Sequence, residues 1–547
     1  MTLFLAFTIA VLVSMALVPL LMRAAIQFHI LDVPNERKLH VAAIPRVGGA
    51  AMIMGAVLPI VAWVAPDRQV IGFLLGMGIV FLFGIWDDWK NLHYRWKFLG
   101  QLTAILIVVC YGDVLIRYLP LWGDHVLPTY VAVPITVFVL LGITNAINLS
   151  DGLDGLAAGV TMMSLGVIAV LAFLAGQSMV LLMCTAVIGG IVGFIRFNTY
   201  PARVFMGDGG SQFLGFSVGV LAILLTQTST STYSYALPLV ILALPILDTV
   251  TVFAQRLYEG RSPFQADKNH IHHRLLTLGF NHHEAVFVLY VLQAVLFVIA
   301  YMLRYENDAL VLICFGIFCA AVWGFLYWAA QADWCWRQPH TLTNTVQGQN
   351  QPWHQFRSWI FHGMLIFVSF ATAAYLLGGA WIAPAVSSDI ALLAVVMLLV
   401  LVAAFIRRSG QPLSWVERAV IYITVCMTVY SVQVNLLDRI AGARLYVNLF
   451  FIALAVVWVL ALRYSKDKKF EPRTLDFLVI FVAVAVPNLP GLKMMDSRVA
   501  ETIVQSIVLF YGIELILAHR RYFWNATRGI ACLSLTFIGL HAVSSMA

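Results

Sequence analysis

The sequence predicts an all-α polytopic integral membrane protein, and two observations support this prediction. Of the 547 residues, 61% are hydrophobic and 11% are charged, whereas a soluble domain carries about 25% charged residues. Apolar runs of about 17–22 residues recur along the chain, and about 20 helical residues cross the hydrocarbon layer of a membrane. A water-soluble fold is therefore excluded.

The apolar runs form two groups separated by a polar segment. About eleven spans are predicted before residue 335 and about seven after residue 358, by the length that a membrane requires. The first group is residues 2–22, 47–66, 70–86, 98–116, 130–147, 156–175, 178–196, 213–228, 236–255, 284–303 and 309–330. The second group is residues 359–378, 388–406, 416–434, 444–462, 474–490, 501–518 and 528–545. Residues 336–358, rich in Gln and Asn, are predicted to be a linker between the domains 1–335 and 359–547.

The distribution of basic residues predicts the orientation in the membrane. The net charge of +7 is dispersed over many loops, so nucleic acid is not an expected partner. With the N-terminus outside, 26 Lys and Arg residues fall on one face and seven on the other, which places the basic face in the cytoplasm. The first run lacks a basic leader and a cleavage site, so we expect a retained helix. The seven scattered cysteines predict neither disulfides nor zinc.

Five segments fall on the cytoplasmic face when the spans are counted. They are residues 23–46, 87–97, 148–155, 197–212 and 256–283. These segments hold most of the clustered Asp, His, Asn and Gly residues of the chain. Carboxylates scattered at random would fall on both faces, so their concentration on one face predicts a functional site there.

The first segment is a cationic loop next to the membrane. Lys38, His40 and Arg46 are candidate phosphate-binding residues, and Gly48 follows them where the backbone can approach a neighbour closely. Positive-inside anchoring explains the same residues equally well. Both interpretations stay open from this segment alone.

The second segment contains the adjacent carboxylates Asp87 and Asp88 at the end of a predicted span. A carboxylate costs about 2.5–3.5 kcal/mol at a bilayer centre and less at its edge, so two together require a cation, a proton or a donor. Adjacent side chains lie about 100° apart on a helix. One carboxylate can therefore contact a metal or substrate while the other orients a helix end. The alternative is ion pairing with the basic residues Lys90, Arg95 and Lys97.

The third segment places Asn145, Asn148, Asp151 and Asp154 between two apolar spans, in a predicted loop without Lys or Arg. Helix capping by Ser150 or Asp151 is the alternative, and it explains one of the two carboxylates. It does not explain both, so this loop is a candidate ligand-binding segment.

The fourth segment places Asp208 between glycines immediately before an apolar helix. Gly207, Gly209 and Gly210 leave backbone N–H groups open to an anion near a helix N-terminus. Asp208 can hold the divalent ion that accompanies a phosphate.

The fifth segment gathers imidazoles and basic groups. His270, His272, His273 and Arg274 follow Lys268, and this set favours phosphate binding. A zinc site is disfavoured because no cysteine accompanies the histidines and their spacing does not put them on one helical face. A solvated basic loop is the remaining alternative. Two further histidines are interpreted as ordinary surface residues, His282 and His283.

Together these motifs resemble the polyprenyl-phosphate N-acetylhexosamine-1-phosphate transferase family, over residues 1 to about 335. The resemblance rests on DVPNERKLHVAAIPRVGG, the adjacent carboxylates Asp87 and Asp88, NLSDGLDG, NTYPARVFMGDGGS and HIHHR, in the order of the family's motifs. HIHHR stands where the muramoyl-pentapeptide branch has three consecutive histidines, which argues against that larger substrate. The similarity is instead to the branch that starts O-antigen, common-antigen and teichoic-acid synthesis.

The resemblance implies a magnesium-dependent reaction, with manganese as the alternative ion. A polyprenyl phosphate attacks the β-phosphorus of a UDP-N-acetylhexosamine, and UMP leaves. The implied metal ligands are Asp208 and Asn148, and the implied catalytic residues are Asp87, Asp88, Asp208 and His272. The implied substrate-binding residues are Lys38, His40, Arg46, Asn148, Asp151, Asp154, Asn198, Phe205, His270, His273 and Arg274. Within this set Phe205 is expected to stack on uracil.

The resemblance also implies a setting. We expect a multi-pass protein of the bacterial cytoplasmic membrane that uses undecaprenyl phosphate and a UDP-N-acetylhexosamine, first of all UDP-GlcNAc, on the cytoplasmic face. The product would initiate a cell-envelope polysaccharide such as the O-antigen of lipopolysaccharide. A homodimer, or an association with later glycosyltransferases, stays open.

The second group of spans has no counterpart in the family. Its acidic residues have basic neighbours, which predicts salt bridges, and they are Glu417, Asp467, Glu471 and Asp476. A transporter or flippase of lipid-linked sugars is the rival function. That rival would place ionisable groups near the bilayer midplane within broken helices, whereas here they are predicted at one edge.

Overall fold

A computed structural model describes two compact units of the chain, residues 2–336 and residues 351–546. The described ranges are 2–33, 43–90, 92–227, 232–260, 269–332, 334–336, 351–382, 388–408, 413–435, 442–464, 497–519 and 523–546. Each unit is described by itself below.

The first unit is almost entirely helical. Its helices are α1 (Thr2–Gln27), α2 (Gly48–Trp63), α3 (Arg68–Lys90), α4 (Tyr94–Leu106), α5 (Thr129–Ser150), α6 (Leu156–Leu174), α7 (Ser178–Asn198), α8 (Gly207–Thr226), α9 (Leu237–Ile241), α10 (Ala243–Tyr258), α11 (Ile271–Thr277), α12 (His282–Met302) and α13 (Asp308–Gln331). A π-helical segment, Ile107–Tyr111, continues α4. Two short strands, β1 (Leu31–Asp32) and β2 (Ile44–Pro45), pair antiparallel between α1 and α2.

The prediction of an all-α polytopic membrane protein is confirmed. Among the described residues, nine helices are long and apolar enough to cross a membrane, and four shorter apolar helices accompany them. Nine of the eleven predicted spans of the first unit coincide with single helices of the structure. The predicted span 474–490 lies outside the described residues.

Two predicted spans are interrupted in the structure. Residues 236–255 form α9 and α10, with a break at Leu242. Pro245 has no N–H to donate to the carbonyl of Ile241, so a continuous helix would lose this bond. The span predicted at 98–116 ends as a helix at Tyr111, and residues 112–116 follow without helical structure.

Helix α8 is the centre of the first unit, because its residues from Gly209 to Thr226 are all buried. Helix α3 comes close to its N-terminus: a Cβ added to Gly84 would lie 2.1 Å from the Cα of Gly209. Helix α2 does the same, since a Cβ on Gly49 would lie 2.4 Å from the Cα of Gly210. These glycines let three helix backbones meet, and they bring the last turn of α3 beside the first turn of α8.

The second unit is also helical. Its helices are α14 (Gln351–Ile382), α15 (Ser388–Arg408), α16 (Trp415–Asn435), α17 (Ala443–Tyr464), α18 (Ser497–His519) and α19 (Phe523–Met546). Helix α14 begins inside the segment predicted as linker, whose Gln, His and Arg residues are good or acceptable helix formers.

Ion pairs connect the helices of the second unit. Arg528 Nε lies 2.5 Å from Glu417 Oε1, and both side chains are fully buried. Arg418 Nη1 lies 2.8 Å from Glu514 Oε1. The prediction of a salt bridge at Glu417 is thus confirmed, although its partner is distant in sequence. The other predicted pairs, at Asp467, Glu471 and Asp476, lie outside the described residues.

Candidate active site

Asp88 orients the N-terminus of α8. Its Oδ1 accepts a hydrogen bond from the backbone N–H of Asp208 at 2.9 Å, and its Oδ2 accepts one from Gly209 at 3.4 Å. The first N–H groups of a helix have no partner within the helix, so a carboxylate there stabilises the helix end. The sequence analysis allowed one of the paired carboxylates to orient a helix end. Asp88 makes this contact.

Asp87, the other carboxylate of the pair, forms an ion pair with Lys97. The Lys97 Nζ is 2.6 Å from Asp87 Oδ2 and 2.5 Å from Asp208 Oδ2. The remaining Asp87 oxygen, Oδ1, accepts the N–H of Leu92 at 2.8 Å. The Asp87 side chain is 3% exposed and that of Asp208 39%, so one carboxylate is fixed inside the protein and the other faces the solvent-accessible side.

Lys97 was considered from the sequence only as an ion-pairing partner, and the structure places it between two predicted catalytic residues. It stands in the first turn of α4, close to where that helix begins at Tyr94. The turn between α3 and α4 brings it back over Asp87. The sequence feature that could have indicated this role is the position of Lys97 immediately before the apolar run 98–116.

Asn148 lies beside the same group of charges. Its Nδ2 donates to Ser211 Oγ at 2.7 Å and is 3.4 Å from Asp208 Oδ1. The predicted loop position of Asn145 and Asn148 is wrong, because α5 continues to Ser150 and carries both residues. The helix extends beyond the apolar run here because the Asn145 amide donates hydrogen bonds to Gln101 Oε1 and to the Leu141 carbonyl.

Asp151 and Asp154 do lie in the connection between α5 and α6. Asp154 Oδ2 accepts the N–H of Ala202 at 2.9 Å, which ties this loop to the fourth segment. Burial, together with the charges of Asp208 and Asp154, raises the pKa of Asp151 to about 7. The alternative of side-chain capping is wrong: α6 begins after Gly155, at φ +79°, without a side-chain cap.

Asn198 and Phe205 hold the loops together. Asn198 accepts the N–H of Gly155 through Oδ1 and donates to the Val204 carbonyl through Nδ2, both at 3.0 Å. It is 3% exposed, so both of its polar atoms are used inside the protein. Phe205 is partly buried and pairs through its backbone with Pro45 and Gly48.

Of the three candidate phosphate-binding residues in the first segment, Arg46 lies within the described residues. It forms an ion pair with Asp32, which is 5% exposed. Arg46 therefore stands in a fixed orientation beside Val47 and the start of α2. The other two predicted phosphate-binding residues of this segment, Lys38 and His40, lie outside the described residues.

The histidine segment packs against the loop after α5. A Cβ on Gly152 would lie 2.1 Å from His272 Nε2, so only a glycine fits beside this ring. His272 is 3% exposed, and burial lowers its pKa to about 3, with the neighbouring His273 adding to the effect. His272 is neutral near pH 7 as a result, and its catalytic role stays a prediction.

Asp248 is a buried residue that the sequence interpretation missed. His270 Nδ1 lies 2.9 Å from Asp248 Oδ2, and the Ile271 N–H donates to Asp248 Oδ1 at 2.7 Å. Asp248 thereby fixes the start of α11. A carboxylate alone within the apolar run ALPILDTV was the signal, because such a charge is costly without a partner.

The remaining basic residues of the fifth segment face different partners. Arg274 donates to the Asn269 carbonyl at 2.9 Å and to Gln255 Oε1 at 2.7 Å. His273 packs on His272, with ring centroids 4.3 Å apart. Lys268 lies outside the described residues.

The interpretation of His282 and His283 as ordinary surface residues is wrong. Both are partly buried, and their rings pack on Tyr200 with centroid distances of 4.3 and 4.7 Å. Tyr200 precedes Ala202, the partner of Asp154, so these rings support the loop from outside.

The donors near Lys97 suit a magnesium ion. Within the described part of the chain, no group of three or more His, Cys, Asp or Glu residues could hold a metal ion. Mg²⁺, however, is usually held by one or two carboxylates together with substrate phosphates and water. Asp87 and Asp208 both point an oxygen at the Lys97 ammonium, so the two carboxylates already share one cation. Asn148 turns its amide nitrogen toward Asp208, which favours Asp87 over Asn148 as the second ligand.

Known proteins are similar to part of this chain. A family described as glycosyl transferase family 4 matches residues 70–226. A probable undecaprenyl-phosphate N-acetylglucosaminyl 1-phosphate transferase of Bacillus subtilis is 35% identical over 301 residues, which are 55% of this chain and 84% of the relative. A decaprenyl-phosphate N-acetylglucosaminephosphotransferase of Mycolicibacterium smegmatis is 32% identical, over 49% of this chain and 73% of the relative. An undecaprenyl-phosphate alpha-N-acetylglucosaminyl 1-phosphate transferase of Escherichia coli is 31% identical, over 49% and 74%.

Proposed function

This chain belongs to the polyprenyl-phosphate N-acetylhexosamine-1-phosphate transferases of glycosyl transferase family 4, and from that premise we propose its reaction. It transfers GlcNAc-1-phosphate, or a related HexNAc-1-phosphate, from a UDP-sugar to undecaprenyl phosphate. The products are undecaprenyl-diphosphate-HexNAc and UMP. The enzyme is a phosphotransferase in a multi-pass membrane protein.

The observation that carries the proposal is the group Asp87, Lys97 and Asp208 at the N-terminus of α8. Three phosphate groups converge in this reaction, so their negative charges must be offset before the acceptor can attack. Lys97 supplies a fixed positive charge, and the first turn of α8 supplies the positive end of a helix, with the N–H groups of Asp208 and Gly209 held by Asp88. Asp88 keeps that turn in place.

A magnesium ion, with manganese as the alternative, would be held by Asp208 and Asp87 and would polarise the phosphoryl oxygens of the donor. Asp208 is the more exposed of the two carboxylates, and in the proposal it contacts the incoming substrate. Asp87 is held by Leu92 and Lys97, so its orientation does not depend on the ion.

Asp87 positions the acceptor phosphate and need not remove a proton from it. A phosphate monoester has a second pKa of about 6 and is largely dianionic at neutral pH. Direct displacement at the β-phosphorus follows, with the acceptor oxygen forming the new P–O bond as UMP leaves. Trapping a phosphorylated Asp87 would contradict this mechanism and favour an aspartyl-phosphate intermediate.

The nucleotide side of the site is formed by the loop after α5 and by the segment before α8. In the proposal Asp151, Asp154 and Phe205 bind the nucleotide, and Phe205 stacks on uracil. Neutral His272 packs against the loop at Gly152, and in the proposal His270, His273 and Arg274 contribute to substrate binding from the same segment. Asn198 acts from behind, as a positioning residue.

The position of the charged groups favours an enzyme over a transporter of lipid-linked sugars. Asp87 and Asp88 stand in the last turn of α3, and Asp208 stands in the first turn of α8. These are helix ends, and a transporter would place such groups near the middle of broken helices. We place this end at the cytoplasmic face of the inner membrane, where the product would start an envelope polysaccharide such as O-antigen.

The direct test is release of UMP by the purified protein. Undecaprenyl phosphate and magnesium are supplied with a panel of UDP-N-acetylhexosamines, and one donor is expected to give UMP together with a lipid-linked sugar. Asp208→Asn should lower turnover by two or more orders of magnitude. Asp113→Asn is the matched control, because Asp113 is exposed beyond the far end of α4. Normal turnover of Asp208→Asn would refute the site.

A further inference from the structure

Two histidines at the start of α12 have no part in the proposed reaction, and both pack on Tyr200. The His282 ring stacks on the Tyr200 ring, with centroids 4.3 Å apart and an interplanar angle of 29°. The His283 ring meets the same tyrosine edge-on, with centroids 4.7 Å apart. Two sides of the Tyr200 ring are therefore covered by imidazoles, and the start of α12 determines where this ring lies.

The start of α12 is a rigid support. The Asn281 side chain accepts the backbone N–H of Glu284, and the Glu284 side chain accepts the N–H of Asn281 at 2.9 Å. This reciprocal pair fixes the first helical turn, on which both histidines stand. Two turns later, buried Tyr290 donates a hydrogen bond to the Gly155 carbonyl at 2.7 Å. Helix α12 therefore also holds the end of the loop between α5 and α6.

This loop carries Asp154, a predicted nucleotide-binding residue, and His282 contacts it directly. His282 donates a hydrogen bond to the backbone of Asp154. The Asp154 side chain in turn accepts the N–H of Ala202 at 2.9 Å, two residues after Tyr200. His282 thus contacts Tyr200 and Asp154, which are also joined to each other through Ala202. A displacement of the Tyr200 ring would therefore move the nucleotide-binding loop.

The segment that leads to Asp208 is held separately. Between Tyr200 and Asp208 the chain is fixed at two points. The Val204 carbonyl accepts a hydrogen bond from Asn198 at 3.0 Å, and the Phe205 backbone pairs with β2 and the start of α2. A shift at Tyr200 is therefore not passed on to the carboxylate that would hold the metal ion.

We propose that Tyr200 and His282 are positioning residues that fix the nucleotide-binding loop and thereby set the affinity for the nucleoside diphosphate donor. The inference rests on the proposed function and adds to it a pair of residues outside the predicted site. The nucleotide keeps its contacts from the bound substrate to the transition state, so loss of the pair weakens donor binding and leaves the chemical step unchanged.

Tyr200→Ala tests the pair, because it removes the ring contact. The KM for the UDP-sugar, and the Kd for UMP measured by calorimetry, should rise roughly three- to tenfold. The kcat and the KM for undecaprenyl phosphate should stay within about twofold of the wild type. Tyr200→Phe keeps the ring and should bind UMP as the wild type does. Tyr235→Ala is the matched control, since Tyr235 stacks on Tyr118 at 4.9 Å, at the opposite end of α5 from Asp151, and should leave the Kd for UMP unchanged.

A double variant shows whether the two residues act through one contact. Tyr200→Ala combined with His282→Ala should bind UMP about as weakly as the weaker single variant. Effects that multiply in the double variant, or an equal rise in the KM for undecaprenyl phosphate, would overturn the inference. Tyr200→Leu, which fills the space without a ring, repeats the measurement if Tyr200→Ala does not fold. A wild-type protein that neither binds nor releases UMP defeats the proposed function; an active wild type with an unchanged Kd in the variant defeats the positioning pair alone.

Discussion

Replacing Lys97 with methionine removes the charge between Asp87 and Asp208 and keeps most of the side-chain volume. The two carboxylate oxygens are 2.6 and 2.5 Å from Lys97 Nζ, so they lie no more than about 5 Å apart. At an effective dielectric constant of about 20, two charges at that separation repel by about 3 kcal/mol, or roughly two orders of magnitude in rate. We therefore expect kcat/KM of Lys97→Met to fall by about 100-fold in the UMP-release assay.

The magnesium dependence makes this prediction specific. A divalent ion offsets the same repulsion, so the variant should need a higher magnesium concentration and recover part of its activity there. Lys90→Met is the control, because Lys90 is exposed and its ammonium lies 4.2 Å from the centre of the Trp89 ring instead of near a carboxylate. Turnover of Lys97→Met within about threefold of wild type at low and high magnesium would refute the reasoning.

Three further predictions concern protonation and stability. Because the pKa of His272 is lowered to about 3, His272→Gln should show the same shape of kcat/KM against pH from 5.5 to 8 as the wild type; loss of an ionisation in that range would contradict a neutral ring. The pKa of Asp151 is raised to about 7, so the unfolded chain ionises first and the wild type loses stability as the pH rises toward 7. The Tm of Asp151→Asn should therefore exceed that of the wild type by about 2 °C or more at pH 8, with a smaller difference at pH 5; an equal difference at both pH values would count against the shift. Glu417→Gln leaves Arg528 charged and buried in the second unit, which costs about 3–5 kcal/mol, and adding Arg528→Met should restore the Tm; a double variant as unstable as the single one would show that the pair is not the cause.

Much of the fold was predictable because membrane-spanning helices are recognisable in a sequence as long apolar runs. An apolar run of sufficient length has few stable alternatives to a helix in lipid, and the spans of the first unit were located in this way. What the runs do not show is where a helix breaks. The division of α9 from α10 depends on Pro245 and its missing donor, and the continuation of α5 through Asn148 depends on side-chain contacts with another helix.

The identity of the site residues was more predictable from the sequence than the geometry of their contacts. Five carboxylates were predicted as site residues, because a carboxylate beside an apolar span is costly without a partner. They are Asp87, Asp88, Asp151, Asp154 and Asp208. Lys97 was expected as a partner of Asp87 and Asp88 but not of Asp208, because it reaches Asp208 across 111 residues.

The histidine segment shows the same limit for charge. The sequence places His272 among basic groups, whereas burial lowers its pKa to about 3 and leaves the ring neutral near pH 7. Burial depends on the packing of α11 against the loop after α5, which no local pattern of the sequence displays.

The most direct test of the central claim uses sealed inside-out membrane vesicles that contain the protein and UDP-GlcNAc labelled in the sugar. If the site at the start of α8 is a cytoplasmic phosphotransferase, label enters the lipid fraction without permeabilisation, in equal amount to the UMP released. Right-side-out vesicles should remain inactive until they are opened. Label that accumulates in the vesicle lumen without a lipid-linked product would contradict the account and indicate a transporter.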